Sequence, residues 1–145
     1  MTLTEFLAAR LDEDQAMAEA CPWSEWMVSG SQDYSMPLTL CGRVAGETWA
    51  DLAQDVWRQG PDVASLRHAA RHDPARVLRE VEAKRARLAL LAEAQAELDK
   101  LLADEHASPM DQAMAVGRVR GAWLAVRHDA AIWRDHPDYT LVTGR

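Results

Sequence analysis

The sequence predicts a mainly α protein built on a long antiparallel helical hairpin, with α+β left open by one tryptophan-rich insert. Three observations carry this. Asp73-Pro74 is a strong helix start, because the carboxylate accepts from a free backbone N–H and proline's fixed φ suits the first helical position. No Gly or Pro follows until Pro109, so this helix runs from about Pro74 to about Glu105, roughly 45–48 Å. Ser108-Pro109 then restarts a helix by the same logic, towards about Arg134. The turn at His106–Ser108 is too short for anything but an antiparallel return.

Taken in order, Thr2 or Thr4 caps a first helix over residues 1–20, with Glu5 placed three residues after Thr2 as in a capping box. Leu3, Phe6, Leu7, Leu11 and Met17 supply its apolar face, Asp12, Glu13 and Asp14 a solvated acidic run, and Pro22 ends it. Residues 23–60 hold Trp23, Trp26, Trp49 and Trp57, punctuated by Gly30, Gly42, Gly46 and Gly60. Short strands fit at about Trp26–Ser29 and Leu38–Cys41 across the polar Ser29–Ser35 turn. Thr48–Arg58 instead reads as a helix, since Trp49, Leu52, Ala53, Val56 and Trp57 recur at helical spacing. Pro61-Asp62 opens a short helix to about Arg71, and residues 61–139 form the helical core of a single domain spanning 1–145.

On the long helix, Val77, Val81, Lys84, Leu88, Leu91, Gln95, Leu98 and Leu102 alternate in steps of four and three, a coiled-coil-like seam with polar breaks at Lys84 and Gln95. Glu80 and Glu82 precede Lys84, Arg85 and Arg87, a favourable order for i,i+4 pairing. The return helix carries two apolar stripes. Gly117 and Gly121 lie one turn apart among Met110, Met114 and Leu124, and small residues there let another helix approach closely. Val116, Val119, Trp123, Val126, Ala130 and Trp133 form the second stripe. A helix apolar on two sides is expected to be covered twice, by its hairpin partner and by the tryptophan-rich segment or another subunit. His136-Pro137 ends the helix, and the tail from Thr140 is expected to be loose.

The stretch Arg71-His72-Asp73-Pro74-Ala75-Arg76-Val77-Leu78-Arg79-Glu80-Val81-Glu82-Ala83-Lys84-Arg85 carries a resemblance as well. With Leu11-Asp12-Glu13-Asp14 and His136-Pro137-Asp138-Tyr139, it resembles an uncharacterised family, a domain of unknown function of actinobacteria and their phages. The resemblance implies a shared scaffold and an origin, and it implies no activity.

Composition excludes several classes. The formal net charge is −7, from 16 basic against 23 acidic residues, which disfavours a general nucleic-acid or anionic-membrane binder except through a local arginine patch. Only Lys84 and Lys100 are lysines, a bias that fits a G+C-rich genome as well as any phosphate site. There is neither an 18-residue apolar run nor a basic and apolar leader, so the expected setting is a bacterial cytoplasm without membrane contact. Cys21 and Cys41 are expected to be reduced there, and their pairing does not follow from sequence.

Candidate chemistry is sparse, and no catalytic residue is assigned. His68 and His72 share a helix face at i,i+4, and His136, Asp73 or a carboxylate of Asp12–Asp14 would complete a divalent-metal site. Joining Cys21 and Cys41 to those histidines departs from the close cysteine spacing of zinc sites. Arg67, Arg71, Arg76 and Arg79 cluster at a helix N-terminus, an anion site for a small phosphorylated ligand unless Asp62, Asp73, Glu80 and Glu82 neutralise them. Trp23, Trp26, Trp49, Trp57, Trp123 and Trp133 are either core or partner-binding residues. No P-loop, nucleophile elbow or dinucleotide fingerprint occurs. These features favour an acidic, non-catalytic binding protein of phage or prophage origin, with no cofactor, acting on a host defence or regulatory macromolecule or associating with itself. A metal- or nucleotide-dependent enzyme centred on His68, His72 and Asp73, and a virion or scaffold component, are the alternatives.

Overall fold

The computed structural model describes residues 1–29, 39–44, 48, 50–51 and 63–143. In chain order they form α1 (Leu3–Ala20), β1 (Glu25–Ser29), β2 (Thr39–Arg43), β3 (Ala50–Asp51), α2 (Val63–Arg71), α3 (Pro74–Ala103), α4 (Pro109–Ala130), a 3-10 turn (Ala131–Trp133) and α5 (Pro137–Thr143). The chain divides into two compact units, Met1–Glu13 with Val81–Arg145, and Asp14–Glu80. The protein is mainly helical, with one small antiparallel sheet.

In the first unit, α1 starts as its sequence predicts. The Glu5 carboxylate accepts from the Thr2 backbone N–H at 2.7 Å, and the Thr2 hydroxyl accepts from the Glu5 N–H at 3.2 Å. The Thr2 backbone bond, then the Thr2 hydroxyl, hold the Glu5 carboxyl below its ordinary pKa. A depressed carboxyl stabilises the fold above its unfolded pKa, and the gain is lost as pH falls through the folded value. Replacing Glu5 by Gln, which caps without titrating, is therefore expected to flatten the acid limb of stability against pH, read by urea denaturation at stepped pH.

Leu3, Phe6, Leu7 and Leu11 are buried as the helical spacing requires. Met17 is not, and Ala18 takes the inward place because it lies two turns from Leu11, whereas Met17 falls one position off the stripe. Against α1 pack α3 and α4, which form the antiparallel hairpin. Its register can be followed in side-chain contacts. Gln112 donates to the Leu101 carbonyl, Arg118 to Glu97, Arg87 to Asp129, and the Lys84 ammonium lies 5.0 Å from the Trp133 ring centroid. Each step back along α3 is matched by a step forward along α4.

The seam on α3 is close to the expected one. Val81, Leu91 and Leu98 are buried, while Gln95 and Leu102 are exposed. Lys84 is no break, since it is only 9% exposed, with its stem in the core and its charge against Trp133. Arg85 and Arg87 are engaged across helices, with Asp12 and Asp129 respectively. Ala115, Val126 and Ala130 bury on α4, so the inward stripe includes a small residue that hydrophobicity alone did not mark.

The C-terminal end differs from expectation. The α-helical part stops at Ala130 and tightens into the 3-10 turn. Beyond it the chain forms α5 up to Thr143 where a loose tail was expected. Pro137 is its first residue, and His136 Nδ1 accepts from the Asp138 N–H at 3.2 Å. An imidazole thus occupies the place that Asp73 and Ser108 hold before Pro74 and Pro109.

In the second unit, β1 and β2 pair antiparallel with Glu25 opposite Arg43 and Ser29 opposite Thr39, and β3 joins through Ala50 and Asp51 opposite Gly42 and Cys41. Arg43 and Glu25, directly across, form an ion pair at 2.7 Å. Helix α2 packs on β1 and β2. The strands fall within two residues of the expected ones. The helix expected over Thr48–Arg58 gives way to strand at Ala50–Asp51, where the ladder with β2 holds the backbone extended, and residues 52–58 lie outside the described residues.

The start of α3 is fully accounted for. Pro74 has no N–H, Ala75 donates to the Ser24 carbonyl at 3.0 Å, Arg76 to Asp73 Oδ1 at 2.7 Å, and Val77 to the Asp73 carbonyl at 3.0 Å. Asp73→Ala orphans one of these donors and is expected to cost about 1 kcal/mol, with Asp73→Asn nearly neutral, both measured by urea denaturation.

Candidate partner-binding surface

The residues proposed from sequence for chemistry belong to both units. The His68 and His72 rings meet at a tilt of 51° with centroids 4.6 Å apart at the C-terminal end of α2, in the second unit. His136 belongs to the first unit, where the Arg10 guanidinium lies 2.6 Å from its Nε2 and Phe6 packs edge-on at 5.6 Å. A neutral imidazole has one acceptor nitrogen, so Arg10 and the Asp138 N–H compete for it. Among the described residues, no three or more His, Cys, Asp or Glu side chains are gathered as metal ligands. Asp12, another suggested ligand, pairs with Arg85 at 2.6 Å. Cys21 and Cys41 are not bridged to each other.

The arginine cluster is likewise engaged at its centre. Arg76 donates to Glu80 and to the Arg71 carbonyl, while Arg67, Arg71 and Arg79 are exposed. The backbone donors that would make this helix end attractive to an anion are already taken. Of the tryptophans, Trp23 and Trp26 are half-buried, and the Trp26 indole N–H is buried without a partner among the described residues. Trp49 and Trp57 lie outside the described residues. Trp133 is half-buried beneath Lys84.

Trp123 is different. It is 40% exposed and forms one wall of an open groove of about 560 Å³ in the first unit. Thr4, Glu5 and Ala8 of α1 form the other wall, and Leu88, Leu91 and Ala92 of α3 lie between. Residue size contributes to the groove, since α1 presents the small Ala8 where α3 and α4 present Leu88, Leu91, Val119 and Trp123. Its lining is overwhelmingly apolar. The Arg127 guanidinium lies 5.4 Å from the Trp123 ring centroid, and Arg120 and Val116 continue the stripe one and two turns earlier.

On α4 the glycine stripe does not meet a neighbour. A side-chain carbon placed at Gly117 or Gly121 would touch nothing within 4 Å, and Met110, Met114 and Leu124 around them are exposed. The close helix approach expected there is absent within the described structure. Sequence periodicity located both stripes of α4, but the depression formed with Ala8 depends on a distant helix and had no local signal.

No helix among the described residues is long and apolar enough to cross a membrane. The profile of a family of unknown function, DUF6221, matches residues 1–141, nearly the whole chain. No match was found among curated proteins or among solved structures.

Proposed function

We propose that this chain, which belongs to the DUF6221 family, is a non-catalytic binding protein whose working surface is the outward side of α4 and the adjoining groove. The observation that carries this reading is the amount of apolar side chain left in solvent on one helix: Met110, Met114, Val116, Trp123 and Leu124. Scattered apolar residues are ordinary on a protein surface, but five large ones on one helix beside an apolar depression are the mark of an interaction surface. The partner is a host macromolecule or a second copy of the chain. An origin in a phage or prophage of actinobacteria belongs to the same proposal and is supported by the resemblance of the Arg71–Arg85 stretch. A role against a host defence or regulatory protein is consistent with the acidic net charge of −7, which suits competition for a basic surface.

Native mass spectrometry combined with light scattering tests the reading, because mass and bound metal are read together. The expected result is a metal-free chain found as a closed oligomer, or as a stoichiometric complex after mixing with host extract. A monomer that recovers no partner would remove the support for a binding role. One divalent ion per chain, lost in His68→Ala or His72→Ala, would instead move the centre of function to the α2 histidine pair.

A further inference from the structure

We infer that the groove between α1 and α4 receives an amphipathic helix of a protein partner, with that helix's acidic flank lying along Arg120 and Arg127. This inference rests on the binding role proposed above and adds the place and the chemistry of the contact. The first support is shape. Small-molecule sites enclose most of their ligand, whereas this groove is open and apolar, the form that takes the apolar edge of a helix. Leu88, Leu91 and Ala92 supply its floor, and the part-exposed Trp123 a wall.

The second support is charge. Arg85, Arg87 and Arg118 of the hairpin are each paired with a carboxylate. Arg120 and Arg127 have no carboxylate partner among the described residues, in a chain carrying seven more acidic than basic groups. They are also not scattered. Val116, Arg120, Trp123 and Arg127 follow one another at helical spacing, so both arginines share a face of α4 with the groove residue Trp123. Val116 is 51% exposed, and Arg120 is exposed outright. The Arg127 guanidinium already rests near the Trp123 ring, which orients it at little further entropic cost when a carboxylate arrives. On the opposite rim the Glu5 carboxylate accepts from the Thr2 N–H, and among the described residues it forms no ion pair with Arg120 or Arg127. A partner helix with leucine-like residues on its inner edge and glutamates or aspartates on the α4 side satisfies both features together.

The test uses the full chain and a pair of synthetic helices about four turns long. Both carry leucines at i, i+3, i+4 and i+7, one flanked by glutamates and its twin by lysines. Fluorescence anisotropy of the labelled peptides is expected to show binding of the glutamate helix, weakening as salt is raised, and little binding of the lysine helix. Arg120→Glu with Arg127→Glu is expected to weaken the glutamate helix by about tenfold or more and to admit the lysine twin, while Trp123→Ala weakens both. All three positions reach solvent, and an unchanged thermal melt verifies that the variants fold.

Equal binding of the two peptides, no binding of either, or binding indifferent to the arginine reversals would overturn the inference. So would a free fatty-acid anion such as dodecanoate occupying the groove in preference to the glutamate helix, or a dimer abolished by Trp123→Ala. The two readings fail separately. If the chain forms a complex with a host protein that Trp123→Ala and the arginine reversals leave intact, the binding role stands and this surface is wrong. If the wild-type chain forms no complex at all, the binding role itself has failed.

Discussion

Replacing Phe6 by alanine is expected to destabilise the protein by about 3–5 kcal/mol, the largest effect of any single change considered. Phe6 is buried and joins segments far apart in sequence. Its ring meets His136 edge-on at 5.6 Å and Tyr139 at 5.9 Å, so it holds the first turns of α1 against the start of α5. Removing it leaves a cavity, breaks two aromatic contacts and takes the Arg10 guanidinium off the ring it lies above at 5.7 Å. Urea denaturation followed by tryptophan fluorescence would show a lowered midpoint, and limited proteolysis would cut near α5 well below that midpoint. Leu141→Ala, at an exposed position of the same helix, is the matched control and is expected to stay within about 0.5 kcal/mol of wild type. A Phe6→Ala midpoint no lower than that control would show that the N- and C-terminal segments do not share a core.

The extent to which these features were legible in the sequence follows the range of the interactions that decide them. Both ends of the hairpin were readable because their signals are local. Asp73-Pro74 and Ser108-Pro109 satisfy backbone donors within their own first turn, and a run without Gly or Pro does the rest. The Thr2–Glu5 capping box was readable for the same reason. Helix α5 was missed because its cap is an imidazole, which ordinary capping rules do not count. Lys84 reads as a flaw in the seam because its partner, Trp133, lies in the 3-10 turn beyond α4. Ala115 escaped notice because a small residue carries little hydrophobic signal even at a fully inward position. The groove was invisible in principle, since it exists only where Ala8 of α1 fails to fill the space beneath Trp123. The stripes of α4 are a different case. Periodicity correctly marked the Gly117–Gly121 face as apolar, and among the described residues of the single chain that face is open to solvent.

Asp129→Ala is expected to cost about 1–3 kcal/mol and to act on the hairpin rather than on α1. Asp129 receives both arms of the Arg87 guanidinium, at 2.5 and 2.9 Å, the forked geometry in which an arginine–carboxylate pair is strongest. That bond to Asp129 also raises the Arg87 pKa, against the opposing effect of its own burial. The magnitude lies between two limits. A fully exposed pair contributes about 0–1 kcal/mol, and breaking a buried one costs about 3–5 kcal/mol. Here the Asp129 side chain is 15% exposed and Arg87 39%, so the orphaned guanidinium recovers part of its hydration while the vacated carboxylate site does not refill with protein. Asp129→Asn retains one acceptor and is expected to recover about half the loss. Arg87→Met removes the opposite partner and leaves the more buried charge alone, so it is expected to cost at least as much as Asp129→Ala. A double-mutant cycle on these two positions, read by urea denaturation in low and high salt, isolates the coupling. A coupling near zero would place the joint between α3 and α4 on Val126, Ala130 and Lys84 with Trp133, leaving the fork as a surface contact only.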